Sequence, residues 1–138
     1  MTAAGASLAR SSQVVASDVD VVTSRQKGRQ IAADMGFSRP DQALIATAIA
    51  ELARNIVHYA GSGQIDLAEV LLGGRTGLRI LATDNGPGIP DISAAMCDGF
   101  STGNSLGLGL PGTRRIVDEF DLQSAPGKGV RVTAIKWL

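Results

Sequence analysis

The chain has 138 residues and a formal net charge of zero, with 13 basic and 13 acidic side chains. This length fits one domain, and the balanced charge argues against a large nucleic-acid interface or a basic membrane-binding surface. The single cysteine and the single histidine exclude an internal disulfide framework and most zinc sites. No apolar run approaches the ~20 residues that a membrane span needs, and no signal-peptide core is present, so the sequence predicts a soluble, cytoplasmic protein.

The first elements in chain order are a tail and two helices. Small and polar residues over 1–12 predict a flexible tail, followed by a single domain over residues 13–138 that opens with a short strand. Capping boxes that begin at Ser17 and Ser38 predict helices that end near Met35 and Ala60. In the second helix, apolar residues at helical spacing predict a buried face, namely Ile45, Ile49, Leu52, Ile56 and Tyr59.

The second half of the chain is predicted to be richer in strands. Residues 64–72 and 78–83 are typical of two strands joined as a hairpin, and residues 91–96 of a short helix. A helix that ends near residue 119 follows, and then two closing strands at about 120–124 and 130–137. This order predicts an α+β, two-layer domain in which helices pack on one face of a mixed sheet.

Glycine is concentrated in the middle of the chain. Twelve of the 17 glycines lie between Gly61 and Gly112. A local excess of this kind indicates turns, or a backbone that must approach a ligand closely.

The first candidate segment lies on the second helix. Glu51 and Asn55 are four residues apart and share a helix face beside the apolar stripe. Polar side chains at the edge of a buried stripe need partners. The alternative is an ordinary solvated helix flank.

The second candidate segment runs from Asp84 to Pro90 and follows a strand directly. A carboxylate there can accept a hydrogen bond from an exocyclic amine at the rim of a pocket, and the adjacent glycines let a flat ring approach. The alternative is a tight turn, since Asn-Gly and Pro-Gly are turn dipeptides.

The third candidate segment, residues 103–112, enters a helix and offers backbone N–H groups to an anion. Its spacing also matches the dinucleotide-binding fingerprint, but no strand precedes it as that fold requires. No Lys or Arg occurs between Ile80 and Thr113. The charge of bound phosphates would therefore be met by backbone N–H groups, by Mg²⁺ with Asn55 as one ligand, or by an arginine such as Arg54 or Arg114.

Together the three segments resemble the N-box, G1 and G2 motifs of the GHKL (Bergerat-fold) ATPases and kinases. The chain carries Glu51-Leu-Ala-Arg-Asn55, Asp84-Asn-Gly-Pro-Gly88 and Gly107-Leu-Gly109-Leu in the order and at the separations of that superfamily. Over about residues 18–137 it is most similar to the anti-sigma-factor type of serine/threonine kinase, in particular the stressosome switch kinases. The resemblance implies the Bergerat fold, with a mixed, mostly antiparallel sheet.

The resemblance also implies roles for individual residues. Glu51 would be the general base, Asn55 would bind Mg²⁺, and residues 98–106 would form a lid. Asp84 would receive the adenine amino group, and Gly88 would let the ring approach. The family often has threonine where this chain has Val130, so Thr133 is a candidate for the missing hydroxyl. The full set of implied ATP-binding residues is Asn55, Asp84, Gly86, Gly88, Ile89, Thr102, Gly103, Gly107, Leu108, Gly109, Leu110 and Thr133.

The implied function is that of a protein serine/threonine kinase using ATP and Mg²⁺. Its substrates would be STAS-domain scaffold proteins, and its release from them would free it to bind and activate a PP2C-type phosphatase. Two alternatives stay open, a non-catalytic binding module gated by nucleotide and a GHKL ATPase. A histidine kinase is disfavoured because the only histidine, His58, lies within the N-box helix.

Overall fold

A computed structural model describes residues 5–88 and 109–138 of the chain. Within these ranges the chain forms three helices and five strands, in the predicted order of one strand, two helices, two strands, one helix and two strands. The helices are α1 (Asp18–Met35), α2 (Arg39–Ala60) and α3 (Gly109–Ile116). The strands are β1 (Ala6–Val15), β2 (Gly63–Leu72), β3 (Arg75–Asp84), β4 (Glu119–Ser124) and β5 (Val130–Trp137).

Both long helices begin and end at the residues that local chemistry predicts. The Ser17 hydroxyl accepts a hydrogen bond from the Asp20 N–H, and the Ser38 hydroxyl accepts one from the Asp41 N–H. Each cap satisfies a backbone donor that the first helical turn leaves unpaired. Gly36 ends α1 in the left-handed conformation, with φ at 96°.

The strands form one sheet in the order β1-β2-β3-β5-β4, and all four pairings are antiparallel. The α+β, two-layer prediction is confirmed. Every pairing among the described strands is antiparallel, so these strands lack the parallel pair that a mixed sheet would contain.

The prediction of a flexible tail over residues 1–12 is wrong for residues 6–12. These residues belong to β1, which pairs along its length with β2, from Ala6 opposite Leu71 to Val15 opposite Gly63. An edge strand needs few apolar side chains, since backbone hydrogen bonds to its neighbour hold it in place. The domain therefore begins at β1 and not at residue 13.

The main core lies between the helices and one face of the sheet. Ile45, Ile49, Leu52 and Ile56 of α2 are buried there as predicted. The prediction that Tyr59 belongs to this buried face is wrong: Tyr59 is 44% exposed, and its ring packs edge-on against that of His58 near the end of the helix. Within the described ranges, no helix is both long and apolar enough to cross a membrane.

The third described helix is shorter than predicted. It ends at Ile116, because Asp118 bonds to the last strand instead of continuing the helix. The Asp118 N–H donates to the Ile135 carbonyl over 2.9 Å, and its Oδ2 accepts from the Trp137 N–H over 2.7 Å. The helix predicted over residues 91–96 and the lid over residues 98–106 lie outside the described residues.

Candidate functional site

Glu51 occupies a buried position on α2 and is only 4% exposed. Its Oε1 accepts a hydrogen bond from Arg54 Nη1 at 2.5 Å, and its Oε2 accepts one from the Gly109 N–H at 3.0 Å. A buried carboxylate is stable only when such partners compensate its lost hydration. The solvated-flank alternative is therefore wrong for Glu51, which links α2 to the start of α3.

Asn55 lies one helical turn beyond Glu51 and carries an unsatisfied polar atom. Its Nδ2 is buried and has no hydrogen-bond partner among the described residues. A half-turn of the amide exchanges Nδ2 with Oδ1 and puts an oxygen at that position. An amide oxygen is a ligand type that Mg²⁺ accepts, so this side chain fits the predicted metal site.

The rest of the described protein adds no acidic metal cage. No group of three or more His, Cys, Asp or Glu side chains that could hold a metal occurs within residues 5–88 and 109–138. Mg²⁺ in nucleotide sites keeps several waters and uses few protein ligands. A site with Asn55 as its protein ligand therefore suits Mg²⁺ better than it suits an ion that needs many protein ligands.

Asp84 ends β3, and among the described residues only one of its two carboxylate oxygens accepts hydrogen bonds. Oδ1 accepts from the Gly86 N–H at 2.9 Å and from the Val130 N–H at 3.2 Å. No described residue hydrogen-bonds to Oδ2. The two bonds fix the orientation of the carboxylate, and Oδ2 can accept a hydrogen bond from a donor other than the described residues.

Two glycines let the segment after Asp84 pack against the turn between β4 and β5. A Cβ on Gly88, whose φ is 80°, would lie 2.3 Å from the Ala125 carbonyl oxygen. A Cβ on Gly129, also at φ 80°, would lie 2.0 Å from the Asp84 carbonyl oxygen. The Gly127 N–H donates to the Pro87 carbonyl across the same interface at 2.7 Å. Gly88 is therefore required by protein packing, in addition to the ring approach predicted for it.

Gly109, at the N-terminus of α3, is the described member of the predicted G2 glycines. Its N–H points to an anionic group, the Glu51 carboxylate, and its carbonyl accepts from the Thr113 hydroxyl at 2.9 Å. Leu110, which follows it, is buried in the main core. Arg114 is exposed on this helix, whereas Arg54 is the cation that contacts Glu51.

The structure does not bring Thr133 to this site. Val132 and Ala134 face the helix-side core, so the intervening Thr133 points to the opposite face of the sheet. Asp84 shares the helix-side face with Ala82. Thr133 therefore does not supply the missing hydroxyl, because side chains alternate between the two faces of a strand and its own lies on the face opposite to Asp84.

Sequence reasoning missed Ser124, which the sheet register brings to this region. Ser124 pairs with Val130, which in turn pairs with Asp84 on the next strand. Its hydroxyl donates to the Gly129 carbonyl at 3.0 Å. No local sequence motif marks Ser124. Its place near Asp84 follows only from the register of β4 on β5.

A cleft of about 320 Å³ opens beside Asp84 at the ends of β2 and β3. Its lining consists of Ala60, Ser62, Gly63, Gln64, Thr83, Asp84 and Asn85. Neither Glu51 nor Asn55 lines it, so it shares only Asp84 with the site. The predicted nucleotide-binding residues Ile89, Thr102, Gly103, Gly107 and Leu108 lie outside the described residues.

Residues 40–138 match the protein family described as histidine kinase-, DNA gyrase B- and HSP90-like ATPases. This match covers more than half of the chain, and the chain therefore belongs to that family. The prediction of a GHKL domain is confirmed, and with it the expectation of an ATP-using protein.

The comparison with individual proteins is more specific. The chain is 56% identical over 119 residues to the serine/threonine-protein kinase RsbT of Bacillus subtilis (strain 168), covering 86% of this chain and 90% of that one. It is 28% identical over 100 residues to the anti-sigma F factor of Caldanaerobacter subterraneus subsp. tengcongensis, covering 68% of each chain. The anti-sigma F factor of Thermoanaerobacter sp. (strain X514) matches to the same extent. These similarities confirm the prediction of an RsbT-like serine/threonine-protein kinase.

Proposed function

We propose that this protein transfers the γ-phosphate of ATP to a serine or threonine of STAS-domain scaffold proteins of a stressosome. The observation that carries the proposal is the buried Glu51 carboxylate. It lies one helical turn from Asn55 and within hydrogen-bond distance of the N–H of Gly109, at the start of α3. An acid thus lies beside a helix N-terminus with an amide one turn away, which supports phosphoryl transfer by positioning and charge stabilisation.

Binding of ATP in this proposal uses two regions of the site. Asp84 Oδ2 accepts a hydrogen bond from the adenine amino group, and the Gly109 N–H donates to a phosphate oxygen. The bonds from Gly86 and Val130 to Oδ1 support this assignment, because they hold the carboxylate in one orientation. Gly88 positions the loop beside the ring.

Asn55 is the residue that would hold Mg²⁺, through its amide oxygen. Bound there, the ion would neutralise charge on the phosphates. The support from this chain is the buried, unpartnered amide atom of Asn55 and the lack of any Lys or Arg between Ile80 and Thr113.

The transfer itself needs one base. The hydroxyl oxygen of the partner attacks the γ-phosphorus, the bond from that phosphorus to the β–γ bridging oxygen breaks, and ADP leaves. Glu51 accepts the proton of the attacking hydroxyl. A positioned base of this kind contributes about 10²–10⁴-fold to the rate.

The proposed partners follow from the resemblance to switch kinases and from the similarity to RsbT. After phosphorylation of the scaffold the kinase is released, and it then binds and activates a PP2C-type phosphatase. This exchange makes the protein a partner switch as well as an enzyme.

A second candidate is a binding module in which nucleotide only controls partner affinity. The similarity to two proteins named anti-sigma F factors favours it. A GHKL ATPase, in which water replaces the partner hydroxyl, is the third.

One labelling experiment separates the three candidates. The protein is mixed with γ-labelled ATP, Mg²⁺ and a purified STAS-domain scaffold protein, and the label is followed in protein and in free phosphate. Label on a serine or threonine of the scaffold supports the kinase. Label only in free phosphate supports the ATPase, and intact ATP that is bound but not consumed supports the binding module.

A further inference from the structure

Among the described residues, two donors from different parts of the chain hydrogen-bond to the Glu51 carboxylate. Arg54 Nη1, which comes from the next turn of α2, donates to one oxygen. The N–H of Gly109, at the start of α3, donates to the other. The Arg54 side chain is 34% exposed while that of Glu51 is 5% exposed, so the pair lies at the boundary between the core and an open surface.

The same two donors are the ones that a phosphate at this position would use. The N–H of Gly109 is the described G2 amide, and Arg54 forms an ion pair with Glu51. Carboxylate and phosphate oxygens accept the same charge-assisted hydrogen bonds. One backbone N–H makes one well-aligned hydrogen bond, so it cannot serve both anions at full strength.

A second observation shows that the arrangement is incomplete as it stands. The buried Asn55 Nδ2, one turn along α2 from Glu51, has no hydrogen-bond partner among the described residues. The great majority of buried polar atoms in folded proteins have a hydrogen-bond partner. The Asn55 amide can therefore bind a further ligand, next to the position that Glu51 occupies.

We propose that the Glu51 carboxylate and the terminal phosphate of ATP compete for Arg54 and Gly109. Arg54 is then a positioning residue: it holds the base in a resting position before nucleotide binds, and it turns to the phosphate afterwards. This inference deepens the proposed function and rests on it. Its consequence is that ATP binding draws these two donors away from Glu51 before the partner hydroxyl attacks the γ-phosphorus.

Competition predicts an unusual effect of removing the charge on Glu51. In Glu51→Gln the side chain keeps its size and can still accept the Gly109 N–H, but it attracts Arg54 more weakly. ATP should bind about 3- to 10-fold more tightly to this variant, because Arg54 is then free to form a charge-assisted hydrogen bond with the phosphate. Adenosine, which has no phosphate, should bind with unchanged affinity.

The test is a double-mutant cycle measured by calorimetry in Mg²⁺ buffer, with ATP and with adenosine. The variants are Glu51→Gln, Arg54→Met and the two combined, with Arg29→Met as the matched control at an exposed position of α1. We expect the gain in ATP affinity from Glu51→Gln to fall to about twofold or less when Arg54 is absent, because contacting residues couple non-additively. Arg29→Met should leave both affinities unchanged.

Three results would overturn the competition. These are an unchanged or weaker ATP affinity in Glu51→Gln, the same gain with and without Arg54, and a gain that adenosine shares. If Arg54→Met does not fold, the comparison of ATP with adenosine in Glu51→Gln alone decides between competition and a general change of the pocket. The experiment measures binding and not phosphate transfer. A failure of phosphate transfer would therefore end the proposed kinase function without changing the ratios of ATP affinity between the variants.

Discussion

Val130 lies directly opposite Asp84 in the ladder between β3 and β5, and its N–H donates to Asp84 Oδ1 over 3.2 Å. The Gly86 N–H donates to the same oxygen over 2.9 Å. The backbone thus uses one carboxylate oxygen to fix the side chain and leaves the other for a ligand. In the proposed function that second oxygen is the acceptor for the adenine amino group.

Replacement of Asp84 by asparagine should abolish tight nucleotide binding and, with it, phosphate transfer. The new amide keeps only one acceptor oxygen and presents an NH₂ group that faces the adenine amino group, so a donor meets a donor. We expect a loss of about 10- to 100-fold in ATP affinity, measured by calorimetry. Asp121→Asn, an exposed position on β4, is the control. Unchanged ATP affinity in Asp84→Asn would contradict the adenine assignment.

Gly129 should tolerate alanine less well than Gly127 in the same turn. Both have positive φ, which costs an L-residue about 1–2 kcal/mol. A Cβ on Gly127 meets no atom within 4 Å, whereas a Cβ on Gly129 would lie 2.0 Å from the Asp84 carbonyl oxygen. We expect Gly129→Ala to lower the free energy of unfolding by a further ~1–3 kcal/mol and to weaken ATP binding. Urea unfolding of the two variants is the measurement, and equal stabilities would contradict the close packing.

Substitutions at Val130 and Thr133 test which face of β5 contributes to nucleotide binding, because the two side chains point to opposite sides of the sheet. Directly paired residues point to the same side of a sheet, so a hydroxyl at Val130 would lie beside Asp84. Val130→Thr should therefore raise ATP affinity by about 3- to 10-fold, as one added hydrogen bond allows. Thr133→Val should leave ATP affinity within about twofold. A large loss of affinity in Thr133→Val would restore Thr133 to the site.

The first strand can be tested by truncation. Deletion of residues 1–12 removes most of β1 and exposes the edge of β2, while deletion of residues 1–4 leaves β1 intact. We expect the longer deletion to lower the free energy of unfolding by about 2–4 kcal/mol, since several ladder hydrogen bonds worth ~0.5–1.5 kcal/mol each are lost. The exposed edge should also promote aggregation. Equal stability of the two truncated proteins would show that residues 6–12 act as a tail.

Local signals account for the parts of the fold that the sequence predicts well. The caps at Ser17 and Ser38 act through bonds within one helical turn, so their spacing is visible in the chain. The shared face of Glu51 and Asn55 follows from helical geometry in the same way. The loop after Asp84 follows from its glycines and prolines.

The errors concern contacts between distant segments. The strand over residues 6–15 depends on β2, and its own polar composition does not predict it. The family resemblance makes Thr133 a candidate for the hydroxyl that is missing at Val130, but the pleat of β5 places it on the other face. The bond between Glu51 and Gly109 spans 58 positions and depends on how α3 packs against α2. Such relationships come from tertiary structure and have no local signature.

Phosphate transfer by the Glu51→Gln variant tests the central claim most directly. The protein and its variant are incubated with γ-labelled ATP, Mg²⁺ and a purified STAS-domain protein, and label on the partner is measured over time. Glu69→Gln, whose native side chain pairs with Arg10 on the edge of the sheet, is the matched control. We predict that Glu51→Gln still binds ATP but transfers phosphate about 10²–10⁴-fold more slowly, while Glu69→Gln transfers at the native rate. Transfer at the native rate by Glu51→Gln would show that the buried carboxylate is not the base.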